Sequence, residues 1–312
     1  MMNWDERRQI VKVSRLYYFD GLTQAEIAKK MGVSRPVISK LLNKARENGI
    51  VEIYIKDENA HTVELEHRLE KKYQLKEAIV VPAAGRDPEM IKHSLGKAAS
   101  FYISKNINGK KSLGISWGST LAKFVQEYPY EQHQQLKIIP LVGGMGRSLV
   151  EIHSNLLAYQ LSQKMNTGCS YLYAPAMVET AELKRRLIES EDIAMVLEEG
   201  RNVEMAVVGI GNPYEGSTMA TMQYLTEEDL ESLKEAGAIG DIGSRFYDQS
   251  GNEIKHPLNE LVIGLDINEY KRIPEVIGIV EGSHKVESIR AALNGNYLNV
   301  LVIDDVTADL IT

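Results

Sequence analysis

Residues 114–120 read GISWGST, and LAKFVQEY follows directly. A short apolar run thus ends in glycine and hydroxyl residues and passes into a helical pattern. The first N–H groups of a helix have no intrahelical partner, and small side chains let an anion approach them. Ser116, Gly118, Ser119 and Thr120 therefore carry the chemistry of a phosphate-binding loop. Enzymes and non-enzymes share that chemistry, so the loop has to be interpreted through its neighbours. Three other apolar runs also end in small residues: LVGGMG, VGIGNP (with Gly209 and Gly211) and IVEGSH.

A second chemistry lies near the N-terminus. Lys29 to Arg46 holds six basic residues and no acidic one, although the whole chain of 312 residues has a formal net charge of -7. Residues 1–60 carry 11 Lys+Arg against 8 Asp+Glu, a balance of +3, which leaves -10 for the remainder. A basic module joined to an acidic body suits a nucleic-acid reader attached to something else.

The elements that must position these residues follow from periodicity. Ile10, Val13 and Tyr17 give residues 7–20 one apolar face, and Gly21 ends that helix. Thr23 and Glu26 have capping-box spacing, so a second helix starts after Thr23. Gly32 permits a sharp turn. Ser34 is the N-cap candidate of a third helix, with Pro36 in its first turn, where a missing N–H costs little. Val33 and Ile38 are spaced as a hydrophobic staple. Ile38, Leu41, Leu42 and Ala45 form the inner face, and Arg35, Ser39, Lys40, Asn43, Lys44 and Arg46 lie on the other side. This is a helix-turn-helix, with domain bounds expected at 1–56. Thr23, Gln24 and Pro36 belong to its DNA-facing set. Arg35, Ser39 and Lys40 are the candidates for base edges, and Ser34, Lys44 and Arg46 for phosphates. After Gly49, IVEIYIK alternates as a strand would, on one side of a wing.

Residues 57–75 form a charged helix, either connecting or dimerising, or packed on its own body. From 76 to 312, the runs AIVVP, KSLGIS, LKIIPLV, SYLYAPA, VEMAVVGI, ELVIGL, EVIGIV and LNVLVID alternate with helical patterns. The fold expected is α/β, a doubly wound and mainly parallel sheet with helices on both faces. In such sheets ligands bind beyond the carboxyl ends of the strands, so the small-residue loops should share one rim. No GxGxxG fingerprint follows the first strand, which argues against a dinucleotide, and no cofactor is expected. Cys169 is the only cysteine. It excludes an internal disulfide and a multi-cysteine zinc site and fits a reducing cytoplasm. The opening MMNWDERRQ is too polar for a signal peptide, and no apolar run reaches the ~20 residues a bilayer span needs.

LYYFDGLTQAEIAKKMGVSRPVISKLLNKARENGIVEI, then GISWGST, VGG, GDIGSRFYD and HKVESIRAALNGNYLNVLVIDDVTADLI, together resemble the SorC family of sugar-responsive bacterial transcriptional regulators over essentially the whole chain. The resemblance implies an N-terminal DNA reader that binds operator DNA. It also implies an effector domain similar to sugar-phosphate isomerases and glucosamine-phosphate deaminases, with a phosphorylated sugar or polyol as effector. Dimers or tetramers are implied as well. Carried over by motif, Ser116, Gly118, Ser119 and Thr120 are the phosphate-side loop, Gly143 and Gly144 the double-glycine turn, and Asp241 and Lys285 polar positions at the pocket rim. Arg147 would add positive charge. Two positions depart from the family pattern. Val142 stands where deoxyribonucleoside-responsive members have a lysine suited to a Schiff base, so covalent capture of an aldehyde sugar is not expected. Glu281 replaces a glycine in the last loop; it would repel phosphate or bind hydroxyls if it faced inward. The competing reading is an active isomerase or deaminase carrying a DNA-binding arm. Asp241, Glu260 and His153 are the polar residues available to it, and none has a recognisable catalytic spacing. A DNA-binding scaffold with no ligand is a third reading, against which the loops argue.

Overall fold

A computed structural model describes residues 4–52, 57, 59–83, 85–144, 146 and 148–312. The chain divides into two compact units, Met1–Ala60 and His61–Thr312.

The first unit holds helices α1 (Trp4–Tyr18), α2 (Gln24–Met31) and α3 (Arg35–Glu47). Its core is Val13, Leu16, Ile27, Ala28, Ile38 and Leu42, one apolar stripe from each helix. Thr23 and Glu26 close a reciprocal capping box at the start of α2. Gly32 ends the helix with φ +70°, a left-handed conformation that favours glycine. Val33 is turned outward and 40% exposed, so the staple expected with Ile38 is not part of this core. Most of the expected wing strand lies outside the described residues.

The second unit is built on seven parallel strands: β1 (Glu77–Val81), β2 (Ser112–Ile115), β3 (Lys137–Pro140), β4 (Gly168–Cys169), β5 (Met205–Val208), β8 (Val276–Val280) and β9 (Val300–Asp304). Their order is β1-β9-β8-β5-β2-β3-β4. Strands β6 (Gly240–Ile242) and β7 (Arg245–Tyr247) form a separate antiparallel hairpin. Successive residues of the central strands go to opposite faces. Met205, Val207, Ile277, Ile279, Val300 and Val302 join the core under α5 (Pro88–Asn106), α6 (Ser119–Glu127) and α7 (Ser154–Lys164). Ala206, Val208, Val276, Val280, Leu301 and Ile303 join the core on the other face. That is why these strands read as continuous apolar runs rather than as alternating ones.

Two of the expected strands are not regular strands. The runs at SYLYAPA and ELVIGL meet the end of β3 and each other only through isolated bridges, Gly144 with Pro175, Val142 with Gly264 and Met177 with Val262. The edge strand β4 lies just before SYLYAPA. Pro175 has no N–H to give a ladder, so the extension beyond β3 stays irregular.

The helix α4 (Ala60–Tyr73) packs on the sheet unit through fully buried Leu65 and Leu69. The Glu66 and Glu70 carboxylates accept the backbone N–H groups of Val80 and Ala78. Two side chains thus occupy donors of edge strand β1 that would otherwise be open to another strand.

Candidate functional site

The strand order fixes where a cleft must open. From β2 the chain proceeds to β3 on one side; from β5 it proceeds to β8 on the other. The loops after β2 and β5 therefore diverge, and their carboxyl ends flank the topological switch point of the sheet. A cleft lies there, lined by residues 116–121, 209–212 and 216–219, with Asp241, Gly243, Ile279 and Lys285.

One wall is the start of α6. Gly118 is its N-cap, with φ +135°, and the Gly118 N–H is taken by the Ile152 carbonyl. The first helical N–H groups, of Ser119, Thr120 and Leu121, have no intrahelical acceptor. The Ser119 and Thr120 hydroxyls have no protein partner among the described residues. Trp117 lines the cleft, and its indole N–H donates to Ser244 Oγ at 3.1 Å, which ties the β2 loop to the turn of the β6–β7 hairpin.

That hairpin presents Asp241. Gly243 and Ser244 have φ of +55° and +68°, the two-residue turn whose twist suits a tight hairpin. Asp241 and Gly211 exchange backbone hydrogen bonds, Gly211 N–H to the Asp241 carbonyl at 2.9 Å and Asp241 N–H to the Gly211 carbonyl at 3.1 Å. Their approach requires glycine, because a Cβ on Gly211 would stand 1.9 Å from Asp241 Oδ1. Burial raises the Asp241 carboxyl to about 6, opposed by the Ser244 backbone N–H and the Lys285 charge. Lys285 faces it from the loop after β8. Burial lowers the Lys285 pKa, while Glu281 and Asp241 act to raise it. Asn212 Nδ2 donates to the His284 carbonyl at 2.6 Å and joins that loop to the β5 loop. The cleft thus sets backbone donors, hydroxyls and an ammonium group beside a carboxylate.

A carboxyl raised by burial contributes stability fully below its unfolded pKa, and that contribution is lost as pH rises through its folded value. For Asp241 the window runs from 3.8 to about 6. Asp241→Asn should therefore be more stable than the wild type above pH 7, by about 2–3 kcal/mol. The gap should close as pH falls from 6 towards 4. Unfolding curves across that range, without ligand, check it.

Gly143 and Gly144 do not line the cleft. A Cβ on Gly143 would lie 2.5 Å from the Pro175 carbonyl carbon and oxygen, and Gly143 N–H donates to the Ile263 carbonyl. Gly144 N–H donates to the Ala174 carbonyl. The double glycine lets three backbone segments close on one another. Val142 is fully buried in an apolar cluster with Met219 and Phe246. Arg147 lies outside the described residues. Glu281 pairs with Lys92 at 3.8 Å and is not part of the lining. His153 bonds the Ser148 carbonyl and Glu260 is exposed; neither lines the cleft. Among the described residues, no three His, Cys, Asp or Glu side chains converge as a metal site.

Sequence reading missed Asn212, Gly216, Ser217, Thr218 and Gly243. A signal was present: the tripeptide GST of residues 118–120 recurs at 216–218, again at a helix start, with Ser217 Oγ accepting the Ala220 N–H.

In the first unit, Ser34, Arg35, Pro36, Lys40, Asn43 and Arg46 are exposed and Ser39 and Gln24 half-buried. The Thr23 hydroxyl is engaged with Glu26 in the cap. Arg46 bonds Asn43 Oδ1 at 2.8 Å. Lys44 differs from expectation: it sits half-buried beside Ala45 and pairs with Glu6 of α1, an intramolecular partner that competes with phosphate. Replacing Arg35 by Ala should weaken specific DNA binding by about 1–3 kcal/mol, the value of a bidentate guanine contact. Fluorescence anisotropy on specific and random duplexes reads the difference.

A DNA-reading helix on one unit and a ligand cleft at the switch point of the other define a ligand-responsive transcriptional regulator. Comparison with known proteins agrees. A putative sugar-binding domain matches residues 57–312, and sigma-70 region 4 matches residues 5–48. The chain is 31% identical to the deoxyribonucleoside regulator of Bacillus subtilis over 98% of both proteins. It is similar to the full-length sorbitol operon regulator SorC of Klebsiella pneumoniae, with 30% identity, 99% of both chains covered and a TM-score of 0.77. It is also similar to a DeoR family transcriptional regulator from Listeria monocytogenes, with 44% identity over 80% of this chain and 99% of that one, and a TM-score of 0.77. The chain belongs to the SorC family of sugar-responsive bacterial transcriptional regulators.

Proposed function

We propose that this regulator controls a carbohydrate-utilisation operon and responds to non-covalent binding of a phosphorylated sugar or polyol. The observation that carries this reading is the juxtaposition of the α6 N-terminus, its Ser119 and Thr120 hydroxyls, and Lys285 with Asp241 in one cleft. The first three suit a phosphate dianion. Asp241 suits sugar hydroxyls, which donate to a carboxylate. Val142 offers no amine at the position where deoxyribonucleoside-responsive members carry a Schiff-base lysine, which supports non-covalent binding. The relatives' names, a sorbitol operon regulator and a deoxyribonucleoside regulator, support a carbohydrate signal.

The protein acts as a regulator and not as an isomerase or deaminase. Of Asp241, Glu260 and His153, Asp241 alone lines the cleft, and the relatives are named as regulators; both support this reading. It works in the cytoplasm on operator DNA as a homo-oligomer, a dimer or tetramer. Among the described residues no helix is long and apolar enough to cross a membrane. Ligand acts by binding one arrangement of the oligomer more tightly than another, which changes the spacing of the DNA-reading units. The test is a duplex selected from random DNA by the protein itself, followed in a mobility-shift assay while sugar phosphates are added. Altered mobility or release with at least one of them supports the reading. Indifference to all of them, or turnover of one into an isomer, contradicts it.

A further inference from the structure

The seven-stranded sheet has two edges, and they end differently. At β1 the Glu66 and Glu70 carboxylates occupy the N–H groups of Val80 and Ala78. At the other edge the chain runs on from β4 to Tyr173 and keeps the parity of a strand. Ser170 N–H donates to the Ile138 carbonyl at 2.9 Å. Leu172 N–H donates to Asn155 Oδ1, and the Leu172 carbonyl accepts from Asn155 Nδ2, both at 2.9 Å. The side-chain amide of Asn155 thus replaces the ladder that β3 no longer supplies. The alternate residues face the other way. The backbone N–H and C=O groups of Tyr171 and Tyr173 have no partner among the described residues.

The side chains there are also open. Tyr171 and Tyr173 are 38% and 77% exposed and stack on each other, with ring centroids 5.9 Å apart and planes 11° apart. Residues 165–178 include no Asp, Glu, Lys or Arg, although 25% of the chain is charged. An open row of donors and acceptors is a template for another strand, and charge is a common protection against that pairing. The β1 edge is blocked by carboxylates; this one carries no charge at all.

We propose that residues 169–173 form an interface with the same residues of a second copy of this chain, antiparallel about a two-fold axis at Tyr171. Three features select that occupant. In a two-fold antiparallel pair each segment is donor and acceptor for the other, so one surface supplies both halves. The second unit is acidic, so two copies approach at least electrostatic cost where neither is charged. A nucleic acid or a charged peptide would find no counter-charge here. Stacked tyrosines on an uncharged surface have the composition of an interface core. The proposal rests on the reading of this regulator as a homo-oligomer.

The experiment uses the full chain. Sedimentation velocity compares the wild type with Tyr171→Lys/Tyr173→Lys, which sets like charges against one another across the pair. The variant, folded by circular dichroism, should fall to about half the wild-type mass. A second arm combines Cys169→Ser, which removes the only cysteine, with Tyr171→Cys. Hydrogen-bonded antiparallel partners have Cα atoms about 5.5 Å apart, within reach of a disulfide. With diamide as oxidant, this variant should form covalent dimers at least ~10-fold faster than Cys169→Ser/Tyr130→Cys, because pairing raises the local thiol concentration. Tyr130 is 83% exposed and lies outside the segment. Unchanged mass in the folded lysine variant, or crosslinking no faster than the control, overturns the interface and leaves the homo-oligomer standing. If the lysine variant does not fold, the crosslinking rate decides alone. A monomeric wild type overturns both.

Discussion

Alanine at both Thr120 and Lys285 is expected to lower effector affinity by at least ~100-fold while leaving operator binding intact. Hydrogen bonds to a charged group contribute about 1.5–3 kcal/mol each, and two such losses multiply. Thr120 is in the first turn of α6, and its hydroxyl has no protein partner among the described residues. Lys285 lines the same cleft, its ammonium favoured against the cost of burial by Glu281 and Asp241. Removing the ammonium relieves that cost but leaves the Asp241 carboxylate without its counter-charge, so the free protein should change little in stability. The DNA-reading residues belong to a different compact unit. Calorimetry for the effector and anisotropy for DNA, on the same preparations, separate the two functions. Unchanged effector affinity in the double variant would refute the assignment of the pocket.

The second large effect comes from a single methyl group. Gly211→Ala should lower effector affinity by roughly 10- to 100-fold, since its Cβ would stand 1.9 Å from Asp241 Oδ1 and 2.9 Å from its Cγ. Either the carboxylate swings out of the cleft or the Gly211–Asp241 bridge opens. Both disperse the group that receives sugar hydroxyls. Gly168→Ala, on the edge strand β4 and outside the cleft lining, is the control. Its Cβ would meet nothing within 4 Å, so binding should stay near the wild type. Equal behaviour of the two variants would show that the methyl group at 211 is accommodated and that Asp241 is not held as described.

What could be read from the sequence was what local chemistry determines. The capping box at Thr23, the glycine turn at Gly32 and the apolar stripe of α3 are all encoded within a few residues, and the first unit follows from them. The central strands were legible because burial on both faces leaves no polar alternation to confuse. The β2 loop was legible as a helix start. Long-range closure was not legible. The double glycine at 143–144 looked like a ligand turn, but its space is filled by the chain at 174–175, some thirty residues on. SYLYAPA and ELVIGL have strand composition, yet their partners are irregular segments, and nothing in either run says so. GDIGSRFYD gave up its aspartate but not its hairpin, because three-residue strands fall below any useful period. The pairing of Lys44 with Glu6 was not legible either, because nothing local to α3 points to α1. Glu66 and Glu70 looked like ordinary surface charge on a connecting helix. Only the sheet edge reveals them as acceptors for β1.

Recognition of a sugar's phosphate ester is the central property proposed for the cleft. Calorimetric titration of the wild-type protein with matched pairs, each sugar or polyol with and without its phosphate, tests it most directly. At least one phosphate ester should bind ~100-fold or more tightly than its free sugar, reflecting the contacts of α6 and Lys285. Free sugars that bind as tightly as their phosphates would contradict the claim.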